Sequence, residues 1–155
     1  MSTTLKEGDK APAFSGRDQN GRQVSLSDFK GQRVILYFYP KDDTPGCTAQ
    51  ACNLRDNYAS LTGKGFQVIG VSVDSEKSHK KFEEKYDLPF TLLADDDKKI
   101  VNAYGVYGQK KFMGREYMGT IRTTFVIDGE GRIEKIIDKP DTKHHASQVL
   151  EALGA

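Results

Sequence analysis

Two stretches leave this chain little freedom of architecture. Arg33 to Tyr39 reads RVILYFY and Phe66 to Val73 reads FQVIGVSV. Both are short, rich in β-branched and aromatic residues and almost continuously apolar, as strands covered on both faces should be. Between them, Leu54, Tyr58 and Leu61 recur at helical spacing behind Pro45 and ahead of Gly63 and Gly65, which predicts a helix from about Pro45 to Leu61. Strand, helix, strand is a parallel crossover unit, and it requires a layered sheet with helices on its faces.

The rest of the chain extends that layer. Ser75 can cap a helix running to about Tyr86, with Phe82 on its inner face. Phe90 to Asp95 reads as a shorter strand and Lys98 to Tyr104 as a short helix. In TTFVIDGEGRIEKII, two strands flank the turn residues Asp128, Gly129, Glu130 and Gly131, and an amphipathic helix runs from about His144 to Leu153. The stretch containing GQKKFMG and YMGT reads as a long loop. The expected fold class is α/β: a thioredoxin-like fold with a central mixed sheet flanked by helices. With 155 residues and no repeat or linker, residues 1–155 read as one domain.

Composition excludes several functions. A net charge of +1 gives no reason to expect nucleic acid. The first residues lack the apolar core of a signal peptide, and the longest apolar run, Val34 to Tyr39, is far too short for a membrane span. A cytoplasmic protein is expected, in a reducing compartment where structural disulfides are rare. That makes the two cysteines, Cys47 and Cys52, the residues to explain.

Cys47 falls in the first turn of a predicted helix, after Thr44 as N-cap, Pro45 at the first helical position and Gly46. Unpartnered amide N–H groups and the positive end of the helix dipole favour a thiolate there. Asp42 and Asp43 oppose this if they point inward, so an arginine from elsewhere in the fold is expected. Residues five apart in an intact helix are turned by about 140° and separated by roughly 8–9 Å at Cα, whereas a disulfide needs Cα atoms within about 7 Å. Cys47 and Cys52 can therefore bond only after a turn unwinds. The arrangement suits a reactive and a resolving thiol, and two cysteines that merely pack within a helix fit the same spacing. No C-x-x-C occurs, and His79, His144 and His145 show no ligand spacing with the cysteines, so neither a metal nor a cofactor is expected.

PKDDTPGC, with Pro40, Thr44 and Cys47 in the pattern P-x-x-x-T-x-x-C, resembles the active-site loop of peroxiredoxins. TPGCTAQACNLRD resembles the Q-type, or bacterioferritin comigratory protein, subfamily. The likeness runs from GDKAPAF through YGVYGQKKFMGREYMGTIRTTFVIDGEG to the last helix. It implies a peroxidatic cysteine at Cys47, a resolving cysteine at Cys52, and Thr44 hydrogen-bonding the bound peroxide or thiolate. It implies further that Pro40 shields the thiolate from water and that Arg122 supports the thiolate and polarises the peroxide. Gln50 stands where many relatives have Glu. The implied activity is reduction of hydrogen peroxide and organic hydroperoxides, with recycling by thioredoxin or a related dithiol, in a monomer or weak dimer. Alternatives are a thiol–disulfide oxidoreductase of thioredoxin type, and a redox-switched binding or chaperone module.

Other polar clusters read as ordinary. Asp95, Asp96 and Asp97 are expected to cap the next helix and face its dipole. His144 and His145 read as solvated imidazoles, and Lys80, Lys81, Lys110 and Lys111 as solvated charges. Met113 and Tyr117 are candidates to line the approach to Cys47.

Overall fold

The computed structural model describes residues 3–154, with the side chain of Phe112 excepted. Along the chain run β1 (Ser15–Arg17), β2 (Gln23–Ser25), β3 (Arg33–Phe38), α1 (Pro45–Asp56), α2 (Tyr58–Gly63), β4 (Phe66–Ser72), α3 (Glu76–Tyr86) and β5 (Thr91–Ala94). They are followed by α4 (Lys99–Ala103), β6 (Tyr107–Phe112), β7 (Arg115–Thr120), β8 (Thr123–Ile127), β9 (Ile133–Ile137) and α5 (His145–Ala152). Seven strands form one mixed sheet in the order β2-β1-β5-β4-β3-β8-β9. Its centre is parallel, β3 on β4 and β4 on β5, and β8 and β9 extend it antiparallel on one side.

β3 is covered on both faces, as its apolar run requires. Ile35, Tyr37 and Tyr39 pack with Ala51, Leu54, Leu61, Phe82 and Val149 from α1, α2, α3 and α5. Val34, Leu36 and Phe38 face the other way, against Ile100, Val101 and Tyr104. Gly70 sits beside Tyr37 because nothing larger fits: a Cβ there would lie 2.9 Å from the Tyr37 ring.

Two sequence expectations need correction, and one feature lies outside them. The single helix expected from Pro45 to Leu61 divides at Asn57, which leaves helical geometry (φ -107°, ψ 6°) and whose side-chain amide shares the Asn53 carbonyl with its own N–H, at 2.8 Å and 3.3 Å. The expected loop after Tyr104 is a hairpin, β6 paired with β7 in a separate two-stranded sheet. Its residues are mostly exposed, so no buried face marks it in the sequence. β1 and β2 were not expected at all. Each has three residues, too few to display an alternation. Among the described residues, no helix is long and apolar enough to cross a membrane.

Candidate active site

The register of β3 against β8 builds the site. The pairing Phe38↔Thr123 places the residues just beyond each strand at the same end of the sheet. There β3 turns through Pro40 into α1, and Arg122 precedes β8. An arginine 75 residues from Cys47 in sequence thereby reaches it: Arg122 Nη2 lies 3.2 Å from Cys47 Sγ. Arg122 Nη1 donates to Gln50 Oε1 at 2.6 Å, fixing the plane of the guanidinium. Gly46 eases this close approach, since a Cβ on it would crowd Nη2 at 3.2 Å.

Cys47 is 1% exposed, Cys52 is half-buried, and both are free thiols. Thr44 holds the N-cap position of α1, with Pro45 beginning the helix, but the Thr44 side chain does not cap. Its hydroxyl donates back to the Lys41 carbonyl at 2.9 Å, while the Thr44 carbonyl accepts from Thr48 N–H at 2.8 Å. The hydroxyl hydrogen is thus committed, and the oxygen remains free to accept. Pro40 lies at the mouth of the same loop. Asp42 and Asp43, expected to oppose a thiolate, are matched by partners of their own: Asp42 by His79 at 2.7 Å and Asp43 by Lys85 at 2.7 Å. The Lys85 bond, then the Tyr86 hydroxyl, holds the Asp43 carboxyl below the usual carboxylate range.

The sequence reading gave several contributors no place in the site. Gln50 is fully buried, and its Nε2 has no partner among the described residues. It stands three residues after Cys47, hence on the same helix face, and that spacing was the available signal. Lys110 is half-buried rather than solvated, with Nζ donating to the Thr120 carbonyl at 2.9 Å. Burial, and next the charge of Arg122, lowers its pKa. Tyr37 is fully buried, and its hydroxyl has no partner among the described residues. Burial raises its pKa well above the phenolic range, and negative charge at Cys47 adds to that shift.

His145, expected in solvent, is fully buried. Gln148 Oε1 accepts from Asp141 N–H at 2.7 Å and lies 3.0 Å from His145 Nδ1, so the ring donates from Nδ1. His145 Nε2 then accepts the Thr124 hydroxyl at 2.8 Å. Burial holds this ring down to about 4, making it a neutral link between β8 and α5. His144 is exposed as expected, and Met113 and Tyr117, the candidates to line the approach to Cys47, are exposed on the hairpin. Of the three acids after β5, Asp95 does most of the capping, accepting from Ile100 N–H at 3.0 Å and Val101 N–H at 2.8 Å, and Asp97 accepts from Lys99 N–H at 3.3 Å.

This geometry has close counterparts among known proteins. A family model described as AhpC/TSA family matches residues 7–136. The chain belongs to the AhpC/TSA family. Within that family it is 50% identical over 149 residues to Peroxiredoxin Bcp of Escherichia coli (strain K12), covering 96% of either chain. It is 47% identical over 150 residues to Peroxiredoxin Bcp of Bacillus subtilis (strain 168), covering 97% of this chain and 96% of that one. Among solved structures, PrxQ of Xylella fastidiosa superposes with a TM-score of 0.92 at 29% identity, over 99% of this chain and 98% of that one. The bacterioferritin comigratory protein of Xanthomonas campestris, described for its alkyl peroxide reduction activity, gives a TM-score of 0.86 at 31% identity, over 99% and 98% of the two chains. These relatives place the chain among the Bcp, or Q-type, peroxiredoxins, and the mixed sheet flanked by helices is the thioredoxin-like fold of its AhpC/TSA neighbours.

Proposed function

We propose that this AhpC/TSA protein is a thiol peroxidase in which Cys47 reduces hydrogen peroxide and organic hydroperoxides and Cys52 of the same chain resolves the product. The observation that carries this reading is the guanidinium of Arg122, held by Gln50 and 3.2 Å from Cys47 Sγ at the start of a helix. A cation fixed there before reaction stabilises both the thiolate and the charge that shifts onto the leaving oxygen.

The Thr44 hydroxyl, with its hydrogen on Lys41, accepts the O–H of an incoming hydroperoxide and so orients the O–O bond. Thiolate sulfur attacks the oxygen that carries the hydrogen, and the O–O bond breaks. Cys47 becomes a sulfenic acid, and the departing alkoxide (hydroxide from hydrogen peroxide) takes a proton to give an alcohol or water. Pro40 keeps bulk water from the sulfur. The first turn of α1 then unwinds, and the Cys52 thiolate attacks Cys47 Sγ. The S–O bond breaks, water leaves with one proton, and a disulfide remains. Two electrons from an external dithiol, thioredoxin or a similar protein, restore both thiols. A reducing cytoplasm belongs to this reading, because the cycle begins from free thiols.

One equivalent of hydrogen peroxide added to the reduced protein tests both cysteines by intact mass. The expected product is a loss of two hydrogens in the wild type and a trapped sulfenic acid in Cys52→Ser. Protein unmodified by peroxide, yet able to reduce a disulfide substrate, would replace this reading with a thiol–disulfide oxidoreductase.

A further inference from the structure

Pro40 and Thr44 lie on one loop, and most side-chain contacts that fix the loop come from α3. The Asp42 side chain is nearly buried. Its Oδ1 accepts the Tyr39 hydroxyl at 2.6 Å, and its Oδ2 meets both the Ser78 hydroxyl and His79 Nδ1 at 2.7 Å. The Asp42 N–H donates to Asp74 Oδ2 at 2.8 Å, and Asp74 is itself held by Ser72 Oγ at 2.7 Å. The other ring nitrogen of His79, a fully buried residue, faces the Leu93 carbonyl of β5 at 2.9 Å. A carbonyl and a carboxylate only accept. Both ring contacts are therefore satisfied only when one hydrogen sits on Nε2 and another lies between Nδ1 and Asp42.

Asp42, Asp74 and His79 do bring three potential ligand atoms within 4.8 Å of one another. Each of those atoms already has a hydrogen-bond partner in the protein, which marks the group as an anchor rather than a cation site. What it anchors is a costly turn. Asp43 has φ 57°, a left-handed conformation that costs any residue but glycine something, though aspartate less than most, and Lys85 and Tyr86 of α3 grip its carboxylate. The Lys41 carbonyl, which holds the Thr44 hydroxyl, immediately precedes Asp42.

We propose that His79 is a positioning residue for peroxide reduction. Acting through Asp42, it holds loop Pro40 to Thr44 on α3, which takes no part in the unwinding of α1, and so keeps the Thr44 oxygen in place for the peroxide. Removing the ring leaves a nearly buried carboxylate with only the Tyr39 and Ser78 hydroxyls as side-chain partners, and the cheapest relief is for the loop to swing outward with Thr44. The inference rests on the reading of Cys47 and Thr44 given above.

The test compares two reactions of the same thiol. Peroxide reduction needs the Thr44 oxygen, whereas alkylation by iodoacetamide needs only an accessible thiolate. In His79→Leu the second-order peroxide rate should fall about tenfold or more, while the alkylation rate stays within about threefold. Asp42→Ala removes the anchor together with the buried charge and should show the same split, which keeps the test open if His79→Leu does not fold. Asp42→Asn, whose amide donates to a bare Nδ1, should recover most of the peroxide rate lost in Asp42→Ala. Equal losses in both reactions, or no loss in either, would overturn the role of His79 while leaving the role of Cys47 standing. A wild-type protein that does not react with peroxide would overturn both.

Discussion

The two ends of α1 are held in opposite ways. At the N-terminal end, Cys47 is kept by the Arg122 guanidinium, and the first turn is joined to its loop by the bond from Thr48 N–H to the Thr44 carbonyl. At the other end Leu54 is fully buried, and Arg55 Nη1 donates to the Tyr86 carbonyl at 2.8 Å. Asn53 clamps the start of α5 from both sides, accepting from Ala146 N–H at 2.8 Å and donating to the Lys143 carbonyl at 3.0 Å. On the proposed mechanism, a helix tethered this way opens from its N-terminal end, with the boundary just after Cys52. The proposed mechanism makes use of that asymmetry: in it Cys47 travels to Cys52 while the core stays in place.

The largest expected effect concerns the loose end. Arg122→Met removes the only cation bonded to Cys47 Sγ among the described residues and should lower the peroxide rate about a hundredfold, while the denaturation midpoint moves little. A stopped-flow rate near the wild-type value would show that the guanidinium is a bystander at the loose end.

The tethered end should show itself in acid. Burial holds His145 at about 4, against an ordinary 6.5. The unfolded chain therefore binds more protons than the folded one between those values, and stability falls as pH falls through that window. The loss should be about 2 kcal/mol from pH 7 to pH 5, with no contribution from this ring above its ordinary value. Asp95, which burial pushes up to about 6 from 3.8, offsets part of this, since its folded form holds the extra proton as acid is added. Urea midpoints of wild type and His145→Gln at the two pH values isolate the histidine, and parallel acid losses would remove it from the account.

The smallest effect is on the clamp itself. Asn53→Ala should cost about 1–2 kcal/mol of stability, and it should raise hydrogen exchange at the start of α5 even in the reduced protein. Unchanged exchange there would mean that Leu54 and Arg55 hold this end without Asn53.

The loose end was far more legible in the sequence than the tethered one. Cys47 announced itself by the helix start before it, and β3 and β4 by runs with no polar interruption. Arg122 came only from a resemblance, because the register that pairs Phe38 with Thr123 leaves no mark in either segment alone. His145 was read as solvated because a histidine at a helix start looks the same whether its ring meets water or a buried threonine. Nothing in the sequence singles out Asn53, because its two bonds to the start of α5 and the residues before it span about 90 residues. Asp42 was expected to oppose the thiolate because the sequence cannot show that His79 waits behind it. The hairpin of β6 and β7 has no buried side to give it away.

The most direct test of one-ended opening is hydrogen exchange across α1 in the reduced protein and in the Cys47–Cys52 disulfide form. The account predicts faster exchange at residues 47–52 after oxidation, with protection from Leu54 onward retained. Loss of protection through Leu54 and Leu61 alike, or equal protection at residues 47–52 in both forms, would contradict it.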